Sequence, residues 1–345
     1  MKGRYKDLEV LLAGCGSIGR RHARILNELG VGHITAFDPD VRQAARLQSE
    51  TPSVEVCASI DRALDARPNL VYVLTPSKEH LAVANAALDA GCHVFCEKPI
   101  SDDLTGVAEL AARVRTSRAH FMVGLCFRYH EGVLGVRELL EQGRIGRLVS
   151  VRALMGEHLP AVRPDYRTLF TSQYSGAFDL MHDLDLALWF AGQRVREVQG
   201  LFGSYSDIGI EAPDLAEILI GFEDRLVASV HLDFFRRPRG RRLELSGTLG
   251  SIEMEFSSWD RYELAVCAGD SEAVERMSGE TNRDDMFRDE NRDFLDGVLD
   301  NRPMACSISE AAKSLSVIEA LRQGVSRPAL FPWEAASATV EVRFL

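Results

Sequence analysis

Three groups of residues in this sequence have types and spacings that could do chemistry. The first is Gly14-Cys15-Gly16-Ser17-Ile18-Gly19, a G-x-G-x-x-G where a short apolar run meets a segment of helical spacing. Glycine permits a tight turn at the first position and close approach of the backbone to a pyrophosphate at the second. At the third it lets the helix pack closely on the strand. A helix opening at Ser17 and Ile18 would offer unpaired N–H groups and the positive end of its dipole to an anion. Asp38 follows Gly19 by 19 residues, at the end of the next apolar run. A carboxylate there accepts hydrogen bonds from both hydroxyls of an adenosine ribose and repels a 2′-phosphate. The combination points to NAD, with NADP the less favoured alternative because Arg42 lies four residues beyond Asp38.

The second group comprises Thr75-Pro76-Ser77 with His80, and Cys96-Glu97-Lys98-Pro99, which follow the fourth and fifth apolar runs. Ligands of open α/β sheets bind beyond the carboxyl ends of strands. Thr75, Pro76, His80, Glu97 and Lys98 are therefore expected to face one crevice and the nicotinamide end of the cofactor. Pro99 fixes the backbone beside Lys98, which favours a held donor over the solvated lysine common at strand ends. The third group is Asp179, His182 and Asp185, three apart, which share one face of a helix predicted over Ser175–Ala191. A single helical histidine is usually a structural hydrogen-bonder. Two carboxylates on its face would orient the ring and stabilise its protonated form, which makes His182 a candidate acid–base group.

The elements that must hold these residues are legible as two patterns. Apolar runs at Leu8–Ala13, His33–Phe37, Val54–Cys57, Leu70–Leu74, His93–Cys96 and His120–Leu125 alternate with helical spacing at Arg20–Leu29, Val41–Leu47, Glu79–Ala90 and Val107–Arg115. Strands apolar on both faces, separated by helices, predict a doubly wound parallel sheet of Rossmann type over residues 1–125. Beyond residue 145 strand-like runs follow one another at Leu148–Met155, Val195–Gly203, Ala216–Phe222, Leu226–Phe235, Arg242–Gly247 and Ser251–Phe256. They predict an α+β domain over 126–345, built on a large, mostly antiparallel open sheet. Helices are expected at Met286–Leu299 and Ile308–Gln323, the latter with Ser307 as N-cap and Glu310 completing a capping box.

Composition narrows the function classes. The chain has 345 residues, 46% hydrophobic and 26% charged, with a formal net charge of −11 and no long run of one sign. That balance speaks against a nucleic-acid or anionic-membrane surface, and the length favours two domains. The seven cysteines are scattered and show no convincing zinc spacing, so no metal is expected and reduced thiols are. Without a signal-peptide core or a bilayer-length apolar stretch, the expected location is the cytoplasm.

Taken together, Gly14–His22, Thr75-Pro76 with His80, Gly91 through Glu97-Lys98-Pro99, Gly124 with Arg128, Gly143 with Gly146 and the aspartate–histidine helix resemble one family. It is the glucose–fructose oxidoreductase, inositol dehydrogenase and rhizopine-catabolism (Gfo/Idh/MocA) family, and the similarity spans almost the whole chain. The resemblance implies a Rossmann domain followed by a large sheet that mediates homodimers or homotetramers. It also implies a small sugar or cyclitol substrate, with Lys98 and His182 as catalytic pair and Asp179 beside them. Many members separate that aspartate and histidine by four residues, whereas three separate them here. Cys126 and Glu131 stand where the family often has a small polar residue and a proline. The stretch His158–Arg167 looks like a subgroup associated with nucleotide-sugar or nonulosonic-acid pathways.

The chemistry expected is transfer of a hydride between the nicotinamide and a carbinol carbon. A free lysine titrates near ~10.4, so acting as a base at neutral pH needs a shift of about three units, roughly 4 kcal/mol. Histidine needs almost none. His182 is therefore read as the base and Lys98 as the donor that polarises the substrate oxygen. Arg128, Tyr129, His158, Tyr166 and Arg167 are candidates for contacts to substrate hydroxyls or a carboxylate. Two alternatives stand beside this reading: a keto-sugar or imine reductase running the other way, and a cofactor-bound sensor without turnover.

Overall fold

The computed structural model describes residues 3–170, 175–258, 260–269 and 273–324. The first unit runs β1 (Glu9–Ala13), α1 (Ser17–Leu29), β2 (His33–Phe37), α2 (Val41–Glu50), β3 (Glu55–Val56) and α3 (Ile60–Asp65). It continues with β4 (Leu70–Val73), α4 (Ser77–Asp89), β5 (His93–Glu97), α5 (Val107–Thr116) and β6 (Phe121–Gly124). The strands pair in parallel in the order β3-β2-β1-β4-β5-β6. This is the doubly wound arrangement expected, and its strand order reverses between β1 and β4, where a crevice opens beyond the strand ends. β4 and β6 are buried throughout because helices cover both faces, which is why their sequences are continuous apolar runs. Only α3 escaped the periodicity reading; six residues give too few turns to show a face.

The second unit begins with a 3-10 turn at Cys126–Tyr129, then α6 (Glu131–Glu141), β7 (Leu148–His158), α7 (Leu159–Val162), α8 (Tyr166–Leu169), a 3-10 turn at Gly176–Leu180 and α9 (His182–Ala191). Seven strands follow: β8 (Val195–Gly203), β9 (Leu215–Phe222), β10 (Val227–Asp233), β11 (Phe235–Gly247), β12 (Gly250–Phe256), β13 (Arg261–Ala268) and β14 (Val274–Glu280). With β7 they form an eight-stranded sheet in the order β14-β13-β12-β11-β7-β10-β9-β8. Every pairing is antiparallel except β7 with β10. Helices cover one face. On the other, alternate residues look outward, among them Leu201, Leu219 and Val227, all more than half exposed.

Five elements here were not predicted; two of them, α7 and α8, are four residues each and too short to show a face. β13 and β14 lie at the sheet edge, and Val274–Glu280 reads VERMSGE, too polar to stand out as a strand. In α6 the glycines Gly132 and Gly135 masked the helical pattern. Gly132 is required by packing, since a Cβ there would lie 2.6 Å from Met254 and Tyr262 of the sheet beneath. The predicted helix at 175–191 is shorter than expected: α-helix starts only at His182, and the turn before it is 3-10.

The last described elements are α10 (Arg283–Leu299) and α11 (Ile308–Gln323), which contribute to both hydrophobic cores. Phe294, Leu295, Ile308 and Leu315 pack into the core of the first sheet, whereas Phe287, Val317 and Leu321 pack into that of the second. Ser307 caps α11 by accepting from Glu310 N at 3.4 Å. The expected reciprocal half of that box is absent, because the Glu310 carboxylate pairs with Arg128 and Lys313 instead. Among the described residues no helix is long and apolar enough to cross a membrane.

Candidate active site

The glycine loop joins β1 to α1 with the geometry a dinucleotide needs. Gly14 has φ +114°, and a Cβ there would lie 2.5 Å from the Leu74 carbonyl oxygen; a Cβ at Gly19 would lie 2.1 Å from the carbonyl of Gly14. Around Gly16 there is open space, and α1 has no side-chain cap, so its first N–H groups face outward beside Ser17 and Ile18. The Asp38 carboxylate is fixed at the loop, accepting from Cys15 N and Asp40 N, each at 2.8 Å. Arg42 is drawn to Asp40 in an exposed pair at 3.1 Å. These residues fit the adenosine and pyrophosphate of NAD.

At the ends of β4 and β5 the expected residues converge, several of them as supports. His80 is buried, with Nδ1 2.8 Å from the Pro99 carbonyl and Nε2 2.8 Å from that of Thr75, tying the two strand-end loops together. Burial pushes its pKa down while the two carbonyls pull it back up. The Thr75 hydroxyl, just before Pro76, is buried without a partner among the described residues. Glu97 accepts from its neighbour Lys98 N at 3.1 Å and lies 3.2 Å from Nε2 of buried His22, whose Nδ1 meets Asn291 of α10. His80 and Glu97, expected to touch cofactor, thus hold the crevice walls.

Lys98 reaches across the crevice, and its Nζ donates to the Asp179 carbonyl at 2.9 Å. His182 opens α9 with one edge still accessible; its ring lies 4.9 Å from that of Phe127, and Nδ1 has no partner among the described residues. Burial pushes its pKa well below the usual value, and Lys98, Arg241 and Arg283 push the same way. This corrects the expectation that carboxylates orient the ring and favour its protonated form. Asp185 is committed to Arg128 by two bonds of 2.7 and 2.9 Å. Asp183 accepts from Arg241 at 3.0 Å. Asp179 precedes the α-helix and offers the site its carbonyl.

The five residues expected to meet substrate divide in two. Arg128 is 5% exposed and held by Asp185 and Glu310, and Tyr129 donates to Asp293 at 2.7 Å, so both are committed inside the protein. His158, Tyr166 and Arg167 instead line one pocket of about 320 Å³ with Ser206, Asp207 and Arg237. Tyr166 donates to the Ile208 carbonyl at 2.9 Å and accepts from Arg167 Nε at 3.1 Å. Arg237, Arg239, Arg241 and Arg283 were missed. The run Arg236-Arg237-Pro238-Arg239-Gly240-Arg241-Arg242, cationic inside a strand, was the available signal.

Glu290 of α10 was also missed. It is fully buried, and among the described residues neither carboxyl oxygen has a partner. Burial, then Glu97 and Asp293, push its pKa well above the usual carboxylate range, which favours the neutral form in the folded protein. An unfolded chain ionises this group above about pH 4.3, so its contribution to stability is full below that pH and falls as pH rises, by roughly 1.4 kcal/mol per unit of separation. Glu290→Gln cannot ionise. Its Tm should exceed that of the parent by several degrees at pH 8 and match it near pH 4; a Tm difference independent of pH would refute a neutral Glu290.

Residues 8–125 match the model of an oxidoreductase family with an NAD-binding Rossmann fold, and 133–253 match the C-terminal domain of the GFO/IDH/MocA group. The myo-inositol dehydrogenase Hyg17 of Streptomyces leeuwenhoekii is 28% identical over 230 residues. That match covers 66% of this chain and 66% of the relative, just under two thirds of its length. The structure of a levoglucosan dehydrogenase with NADH and levoglucosan superposes with a TM-score of 0.83 at 20% identity, covering 93% of this chain and all of that one. For myo-inositol 2-dehydrogenase from Lactobacillus plantarum the TM-score is 0.80 at 22% identity, covering 94% and 99%. With its glycine loop, its parallel sheet and its second, open sheet in that order, the chain belongs to the GFO/IDH/MocA family of NAD-binding oxidoreductases.

Proposed function

We propose that this protein oxidises a carbinol carbon of a sugar or cyclitol, with His182 as the base and Lys98 as the donor to the reacting oxygen. The observation that carries the reading is the Lys98 amine bound to the Asp179 carbonyl, three residues before His182, which brings both groups to one turn beside the crevice. NAD, when bound, supplies the hydride acceptor. A ring kept neutral by burial and neighbouring cations is ready to take a proton. Lys98, released from Asp179 by a substrate hydroxyl, hydrogen-bonds that oxygen and stabilises its developing negative charge. Asp179 holds Lys98 between turnovers, a positioning role. The names of the relatives, which include inositol and levoglucosan dehydrogenases, support the substrate class. The outward face of the eight-stranded sheet, with Leu201, Leu219 and Val227 exposed, would pair with a second copy.

NADH formation across a panel of neutral and acidic hexoses, polyols and inositols tests the assignment. At least one should give saturable turnover. Because the His182 pKa is depressed, the acid limb of kcat/KM should fall below pH ~6.5, the ordinary histidine value. Turnover with an acid limb well above neutrality would exclude His182 as the base.

A further inference from the structure

We propose that the substrate carries an anionic oxygen group, a carboxylate or a phosphate, gripped by Arg167 and Arg237 in the pocket beside His158. The inference rests on the dehydrogenase reading above and names the kind of molecule that its site takes.

The backbone sets the arginines there. β11 pairs with β7 at Phe235–His158 and again at Gly240–Gly156, so residues 236–239 leave the ladder as a bulge opposite Glu157. Bulges re-aim side chains and recur beside active sites. This one carries Arg236, Arg237 and Arg239. Arg237 meets His158 at the pocket wall, and Arg167 approaches from α8. Further along the strand Arg239 lies 3.4 Å from Glu157, and Arg241 lies 3.9 Å above the Phe127 ring, which packs on His182. The pocket wall also shares packing with the turn before His182. That wall rests on a small core of Leu159, Tyr166, Phe170, Ile208, Ala212 and Phe234, against which Leu180 packs, two residues before His182.

A chain with a net charge of −11 has nevertheless gathered arginines on this bulge and in the strand after it. Arg239 is pushed down by burial and by Arg241, and Arg283 by burial, Arg21 and Arg239, so these cations repel one another where they stand. Glu157, Asp183 and the pocket's own Asp207 offset part of that charge. An anion entering from solvent meets the exposed pair Arg167 and Arg237, and the planar fork of a guanidinium matches a carboxylate or phosphate with two hydrogen bonds. Arg167 and Arg237 are exposed, so they can turn onto a ligand without unpacking a core.

The test uses the full chain saturated with NADH and compares the binding of matched sets: glucose, glucuronate and glucose 6-phosphate, then galactose, galacturonate and galactose 1-phosphate. At least one charged member should bind about tenfold or more tightly than its neutral counterpart, and whether that member is the uronate or the sugar phosphate separates carboxylate from phosphate. Arg167→Gln/Arg237→Gln should abolish that preference with NADH affinity unchanged. Equal binding of charged and neutral members, failure of every charged member to bind, or a preference that survives the double substitution would each overturn the inference. The dehydrogenase reading fails separately. Turnover of neutral polyols without any preference for anions spares it, whereas an arginine-dependent preference without hydride transfer to any sugar leaves only the anion site standing.

Discussion

Lys98→Met should lower kcat by about 10³-fold while NAD still binds within a factor of a few of the parent. Methionine keeps the length and apolar stem of lysine and removes only the donor. Deleting one donor to a developing oxyanion costs about 10²–10³-fold in other enzymes, and losing a general base about 10²–10⁴-fold. His182→Asn should therefore fall in the same range. Two further readouts separate chemistry from structural damage. If both side chains act on one oxygen, the double variant should be little worse than the poorer single one. Because Lys98 is among the cations that depress the His182 pKa, its removal should let that pKa rise and move the acid limb of kcat/KM to higher pH. Substrate turnover within a factor of a few of the parent in both single variants would end the assignment.

Arg128→Met should cost about 3–5 kcal/mol of stability, the usual penalty for leaving one partner of a buried ion pair uncompensated. Arg128 is 5% exposed and Asp185 is 1% exposed; their two-pronged contact is backed by Glu310 at 3.1 Å and by Trp189, whose ring centre lies 5.4 Å from the guanidinium carbon. At roughly 2–4 °C per kcal/mol for a chain of this class, Tm should drop by about 10 °C. Replacing Asp185 by leucine in the same background should restore much of the loss, since the orphaned charge is gone. The fraction that stays folded at low temperature should keep its KM. A raised KM with an unchanged Tm would instead return Arg128 to the substrate.

How much of this was legible in the sequence follows from the range over which each contact acts. The glycine loop, Asp38 and the strands of the first sheet are local patterns, and all stand where they were read. The strand-end motif and the aspartate–histidine turn were legible as residue types, because chain topology alone brings Lys98 and the turn before His182 to one crevice. Orientation was not legible. A spacing of three placed Asp179 and Asp185 around His182, but Asp185 is claimed by Arg128, 57 residues away along the chain, and the neighbouring Asp183 by Arg241, 58 away. Glu290 has no local signature either; its surroundings are supplied by β4, β5 and the first 3-10 turn of the second unit, and only their packing makes it costly to ionise.

The position of α10 and α11 late in the sequence bears on the order in which this molecule can be made. The nucleotide-binding sheet is complete as a set of strands at Gly124, yet Tyr72 and Phe95 lie against Phe294, delivered by α10 some 170 residues later. A nascent chain thus carries that half unsealed until α10 has left the ribosome. The same two helices engage both cores, so loosening either one removes packing from both halves.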